Sequence, residues 1–290
     1  MKKPDWSSIL RKAGHSGRKA ILQNYTESSR HKILGEGKGG DMTLRIDGVS
    51  EKAVYRSLKS DLGNAFVFLS EEVGEVPGPE KADELPVVVC DPLDGSHNAE
   101  VGIPFFSVAL SVITFDQREG GARRTFGNIS SALITSIKTE DEYFALKGKG
   151  SFHNGKRMKP VKVTSEKIRT LLIETSDVEY LREKILGNLS KEDVNKTRLM
   201  GSAAMSYCML ASGAADVLIF AQPGGARTID SPAGFLIARE AGKVFSNLTK
   251  GSERSPVEDL EVGFSSRANI IGAANSNILS QLEKKLVSLP

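Results

Sequence analysis

A chain of 290 residues is long enough for one large domain or two moderate ones with substantial cores. Its formal net charge of +3 is small for that length, and no basic block is interleaved with aromatics, which excludes a nucleic-acid footprint. Only Cys90 and Cys208 are present, so a disulfide framework is not expected and a reducing cytoplasm fits. Met1 to Trp6 lacks the apolar stretch of a signal peptide, and no apolar run reaches the roughly 20 residues of a membrane span. His15, His31, His97 and His153 are scattered without zinc-type spacing.

In chain order, Asp5 to about Ser28 reads as a helix, with Trp6, Ile9, Leu10, Ala13, Ala20 and Ile21 in a broken 3–4 spacing. Gly35 to Gly40 is glycine-rich without the order of a phosphate-cradling Walker loop; it reads as a flexible linker or as a mobile flap. Asp47 is positioned to cap the next helix, in which Val54, Leu58 and Leu62 recur four apart. Ala65 to Ser70 is a buried strand with Glu71 and Glu72 at its end, followed by a polar loop from Pro77 to Glu84. Phe105–Ile113 and Gly127–Ile137 read as strands. Glu142–Ala145 and Ser151–Phe152 pair, and Asn154-Gly155 makes a tight turn. This succession predicts a largely antiparallel or mixed sheet.

Composition shifts near Lys159-Pro160, which divides the chain into residues 1–160, carrying most of the acidic candidates, and 161–290. In the second part Thr170–Ile173 is a strand, Val178–Leu189 is helical and Thr197–Met200 is a short strand. Gly201-Ser202-Ala203 opens a helix to about Ala214, a small-residue start suited to a polar ligand or to close helix packing. Asp216–Phe220 is a strand, and Asp230 heads the helix Ser231–Arg239, with Pro232 in its first turn. Lys243–Ser246 and Asn269–Ala274 are strands, and Ile278–Leu289 is a terminal helix.

The stretch with most chemistry is Asp91-Pro92-Leu93-Asp94-Gly95-Ser96, entered from the apolar strand Leu85–Val89. Pro92 restricts φ and removes a donor, so the chain turns at Asp91; Gly95 allows a ligand close to the backbone. Asp91 and Asp94 can then face one point together with the Gly95 and Ser96 amides. Carboxylates suit a hard cation and amides suit an anion's oxygens, so the turn describes a site for a metal-bridged phosphate. Taken alone, Asp-Pro and Asp-Gly are also ordinary turn dipeptides.

With Asp41–Asp47, Ser70-Glu71-Glu72, Gly148-Lys149-Gly150 through Asn154-Gly155, Gly201-Ser202-Ala203 and Ile229–Gly234, this stretch resembles the inositol monophosphatase superfamily of metal-dependent, lithium-sensitive sugar phosphatases. The archaeal-type members, which act on both fructose 1,6-bisphosphate and inositol 1-phosphate, look most similar. The resemblance implies an α+β fold, a layered α-β-α-β-α sandwich, and a homodimer. It implies Glu71, Asp91, Leu93 through its carbonyl, Asp94 and Asp230 as metal ligands, with Asp41 as a further candidate. Asp47 and Ser96 would handle the attacking water, with Glu71 contributing through a bound ion. Two or three Mg2+ per site are implied, with Mn2+ possible, because all-oxygen ligands suit a hard ion. Gly95, Ser96, Gly201, Ser202 and Ala203 would contact the substrate, a small phosphorylated sugar or polyol. The chain departs from the pattern at Pro223, where relatives carry an acidic residue or arginine. Arg198 and Arg227 are candidates for a second phosphate, or surface arginines. His97 either reaches substrate or is a loop residue. The rival readings are an adenosine 3′,5′-bisphosphate phosphatase and a non-catalytic metal- or phosphate-binding homologue.

Overall fold

A computed structural model describes residues 4–38, 42–78, 85–115, 123–161, 167–249 and 256–286. Helix α1 (Trp6–Asn24) begins where the Asp5 carboxylate accepts the Ser8 N–H. It ends before Ser28, because the Thr26 hydroxyl accepts the Ser29 N–H and opens a separate short helix, α2 (Glu27–Arg30). Gly35 and Glu36 of the glycine-rich stretch lie in β1 (Ile33–Glu36), which pairs antiparallel with β2 (Met42–Leu44), while Gly39 and Gly40, and the candidate Asp41 after them, lie outside the described residues. Helix α3 (Arg45–Leu62) is capped at Leu44, three residues earlier than expected. Asp47 is therefore inside the first turn rather than at the cap, and its carboxylate reaches back to the Leu44 N–H at 2.6 Å.

Next come β3 (Val67–Ser70), β4 (Gly74–Val76), β5 (Val87–Asp94), the short helix α4 (Ser96–Val101), β6 (Ser107–Ile113), β7 (Ile129–Ser136), β8 (Glu142–Leu146), β9 (Gly150–His153) and β10 (Lys156–Arg157). The strands form one sheet in the order β10-β9-β8-β7-β6-β5-β3-β4. Its neighbours are antiparallel except β3 and β5, which run parallel. The Asn154-Gly155 turn joins β9 to β10, with both residues at positive φ as such a turn requires. Most of the polar loop after Pro77 lies outside the described residues.

The second part runs β11 (Ile168–Glu174), α5 (Val178–Tyr180), β12 (Val194–Arg198), α6 (Ala203–Ser212), β13 (Val217–Phe220), β14 (Ala226–Arg227), α7 (Pro232–Glu240), β15 (Val244–Asn247), β16 (Arg267–Ala268), β17 (Ile270–Ala273) and α8 (Ser276–Lys285). Five of these strands make a mixed sheet, β12-β11-β13-β17-β15, and β14 pairs with β16. The helix expected over Val178–Leu189 is irregular: α5 passes into a π turn at Leu181–Ile185 and a 3-10 turn at Leu186–Asn188.

Period-2 alternation builds the layers. Phe66, Phe68, Val88 and Cys90 face one way, onto Leu10 and Ile21 of α1 and Val54 and Leu58 of α3. Val67, Leu69, Val87 and Val89 face the other way, onto α6 and α7, which also meet Leu172, Leu218 and Ile270 of the second sheet. Helix α6 buries Ala204, Met205, Tyr207, Cys208, Leu210 and Ala211 around its circumference, as a helix between two sheets must. Beyond the second sheet, Ile173, Ile219 and Ile271 pack on Ile278 and Leu282 of α8. The result is the α-β-α-β-α layering of an α+β fold. Residue 160 falls between the two sheets, while the core around α6 and α7 draws on both halves. Among the described residues no helix is long and apolar enough to cross a membrane.

Candidate active site

Parallel pairing places the ends of β3 and β5 side by side. Ser70 lies opposite Cys90, and the Glu71 N–H bonds the Cys90 carbonyl at 3.2 Å. Glu71 and Asp91 therefore emerge at the same edge. Along β5, two residues three apart would normally face opposite ways. The register against β6 shifts between Asp91, opposite Ala109, and Asp94, opposite Ser107. The extra residue restores Asp94 to the side of Asp91. The irregular stretch is tied down: the Ser50 hydroxyl donates to the Pro92 carbonyl at 2.7 Å, and the Leu93 N–H to Asp91 Oδ1 at 3.0 Å. Gly95 then turns the chain at φ +86°, where an added Cβ would lie 3.1 Å from the Phe105 carbonyl and from Ser202 Cβ.

These elements surround a cavity of about 580 Å³, lined by Glu71, Glu72, Asp91, Leu93, Asp94, Gly95, Ser96, His97, Gly201, Ala203, Arg227 and Asp230, among others. That volume suits a small organic ligand. Asp94 is buried at the start of α6, where its Oδ2 accepts from the Ser202 hydroxyl and, at 3.3 Å, from Ser107. The Ala203 and Ala204 amides also favour its ionised form, but burial outweighs them and raises its pKa. Burial also raises the pKa of Asp91, and the charges of Glu71, Asp94 and Asp230 raise it further. Asp47 is pushed up to about 8, by burial first, with the Glu72 charge adding and the Leu44 N–H and the Ser96 hydroxyl opposing. The Ser96 hydroxyl itself donates to the Leu93 carbonyl at 2.8 Å, and Asp47 Oδ1 is buried without a full hydrogen bond. Asp230 ends a 3-10 turn before α7, whose cap is Ser231 rather than Asp230. Arg227 bridges Asp230 and Glu71.

The structure thus brings together Asp47, Glu71, Asp91, Leu93, Asp94, Gly95, Ser96, Gly201, Ala203, Arg227 and Asp230. Two residues fall elsewhere. Arg198 is exposed on the edge strand β12, donates to the Thr197 carbonyl and does not line the cavity, because its strand ends on the outer side of β11. Ser202 is 2% exposed and spends its hydroxyl on Asp94, so it supports an acid instead of meeting a ligand. His97 does line the cavity, with its ring near Glu100 at 3.3 Å.

Two further contributors lie outside the residues read from the sequence. Glu174 closes β11, and Glu71 directly follows β3, so an acid at a strand end was the signal that could have found it. It accepts the Gly201 N–H at 3.0 Å and the Ser206 hydroxyl at 2.5 Å, and burial raises its pKa to about 7. Asn98 bonds the Phe105 and Met200 carbonyls at 2.8 and 2.7 Å, locking α4 to the turn before α6; a contact across 102 residues leaves no local mark.

Asp47, Asp91 and Asp94, their pKa values raised first by burial, form with Glu71 and Asp230 a hard-oxygen donor set that fits divalent cations in kind. Among the described residues no three ligating side chains stand at metal-binding spacing, and a guanidinium holds part of the ground between them.

The sequence model of the inositol monophosphatase family matches residues 5–288. A fructose-1,6-bisphosphatase/inositol-1-monophosphatase from Archaeoglobus fulgidus is 30% identical, over 97% of this chain and 98% of that protein. A bifunctional NADP phosphatase/NAD kinase from Methanocaldococcus jannaschii is 28% identical over 73% of this chain and 39% of its own length. A crystal structure described as an inositol monophosphatase–fructose 1,6-bisphosphatase is 26% identical, covering 98% of this chain and 100% of that one, with a TM-score of 0.76. The chain belongs to the inositol monophosphatase family and is a phosphoric monoester hydrolase. That family is metal-dependent.

Proposed function

We propose that the chain hydrolyses a sugar or inositol phosphate, inositol 1-phosphate and/or fructose 1,6-bisphosphate, with Mg2+ as its metal. The observation that carries this reading is the set of acids from four distant segments around one cavity, each of the buried ones resisting ionisation. Glu71, Asp91, Asp94, Asp230 and the Leu93 carbonyl would hold two or three Mg2+, or Mn2+. Bound there, the ions supply an acidified water and charge stabilisation for phosphoryl transfer. Asp47 and Ser96 orient the attacking water, Asp47 taking its proton once ionised. Gly95 and Ser96, at the start of α4, and Gly201 and Ala203, at the start of α6, hold the phosphate and the polyol. Lithium inhibition and a homodimer, measurable by rate and by light scattering, belong to the same proposal.

A nucleotide substrate, as in the NADP phosphatase relative, is the second reading. Among the described residues lining the cavity, Phe220 offers an aromatic ring on which a base could stack. Phosphate release with Mg2+ is the test, across inositol 1-phosphate, fructose 1,6-bisphosphate, adenosine 3′,5′-bisphosphate and NADP. The first two are expected to be turned over fastest. Asp94→Asn is expected to abolish release while circular dichroism is unchanged; near-normal turnover by that variant would refute the assignment.

A further inference from the structure

Arg227 lies in β14, paired opposite Arg267 of β16, and three residues before Asp230. Its Nη2 donates to Glu71 Oε1 at 2.6 Å and its Nε to Asp230 Oδ2 at 3.2 Å. Glu71 is 156 residues away, so the contact is tertiary and owes nothing to local preference. The three side chains, Arg227, Glu71 and Asp230, are only 18%, 15% and 16% exposed. Pairs at such depth escape much of the screening that makes surface pairs weak. Glu71 and Asp230 are also two of the acids assigned above to the cation. An oxygen that accepts a guanidinium N–H this closely cannot also take a Mg2+ at about 2.1 Å along the same direction. Arginine keeps its charge at every working pH, so it cannot step aside by losing a proton; it has to move.

We infer that Arg227 is a tethered counter-cation of the acidic cluster, competing with the divalent ion for Glu71 and Asp230. Binding of the ion displaces the guanidinium from those oxygens. Because Arg227 lines the cavity, its planar donor fork is then free for a phosphate oxygen pair. Cation loading and anion capture are coupled through one side chain. By linkage, each ligand strengthens the other through Arg227.

The inference rests on the proposed cation site, and one set of titrations separates the two. Mn2+ binding to the full chain is measured by paramagnetic resonance, for the wild type and for Arg227→Gln. The variant is expected to bind Mn2+ about tenfold tighter, as removal of about 1.4 kcal/mol of competition gives. It is also expected to lose the enhancement of Mn2+ affinity that inorganic phosphate confers on the wild type. Equal or weaker Mn2+ binding by the variant overturns the inference while leaving the cation site standing. No Mn2+ binding by the wild type overturns the site and the inference together. Should Arg227→Gln fail to fold, the wild type labelled with 15N-arginine decides. Its Arg227 Nε–H is expected to be protected from exchange in chelator and to exchange faster after Mg2+ is added; unchanged protection overturns the inference.

Discussion

Asp47 is 1% exposed, one oxygen taking the Leu44 N–H and the other facing the Ser96 side of the cavity. Its ordinary pKa is 3.8, and burial carries it to about 8 in the folded chain. Between those values the folded state holds a proton that the unfolded state has lost, so stability falls as pH rises through this window. Asp91 and Asp94, also raised, act in the same direction. In chelator, the free energy of unfolding is therefore expected to decline from about pH 4 to about pH 8, and Asp47→Asn to flatten that slope. Urea titrations at several pH values measure this; a slope in Asp47→Asn as steep as in the wild type rules it out. Ser202 acts on Asp94 from behind. Ser202→Ala removes the hydroxyl that orients it and is expected to weaken metal binding by about 10–100-fold, with the fold retained. Calorimetric titration with Mg2+ checks this.

Among the elements, α6 and α7 carry the site from the side of the second sheet, and they approach closely where Gly234 meets Tyr207. A Cβ on Gly234 would lie 2.5 Å from Tyr207 Cβ and Cγ. Gly234→Ala is expected to force the two helices apart at a cost of about 1–3 kcal/mol, seen as a lower urea midpoint with an unchanged slope. Elements with a strong local period were legible in the sequence: α1, β6, β13 and the Asn154-Gly155 turn fall close to where apolar spacing and turn chemistry put them, whereas β5 runs on through Pro92 to Asp94 in place of the turn expected at Asp91, its pairing with β6 carrying it past the apolar run. Caps were less legible. Asp47 and Asp230 both look like helix caps, since aspartate suits that position. In the structure α3 begins at Arg45, with Asp47 in its first turn bonding back to the Leu44 N–H, and α7 is capped by Ser231, with Asp230 in the preceding 3-10 turn bound to Arg227.

At the scale of the whole molecule, two sheets with α6 and α7 between them converge on one acidic cavity from opposite sides. A ligand that satisfies such charges binds only the folded chain. Mg2+ at about 100 times its Kd is expected to stabilise the protein by about 2.7 kcal/mol, and a chelator to reverse it. Differential scanning calorimetry shows the shift, and an unchanged transition excludes cation binding at this concentration. The sequence alone determined a largely antiparallel or mixed sheet and the acidic turn, because periodicity and turn chemistry act over a few residues, and the resemblance carried by its motifs implied the α+β sandwich. The placement of Arg227 between Glu71 and Asp230, the service of Ser202 and Glu174 to the start of α6, and the exclusion of Arg198 were decided only by tertiary structure. Apart from the Arg227–Asp230 pair, three residues apart, those contacts join residues 27 to 156 positions apart, and no local preference encodes which distant partner a side chain will meet.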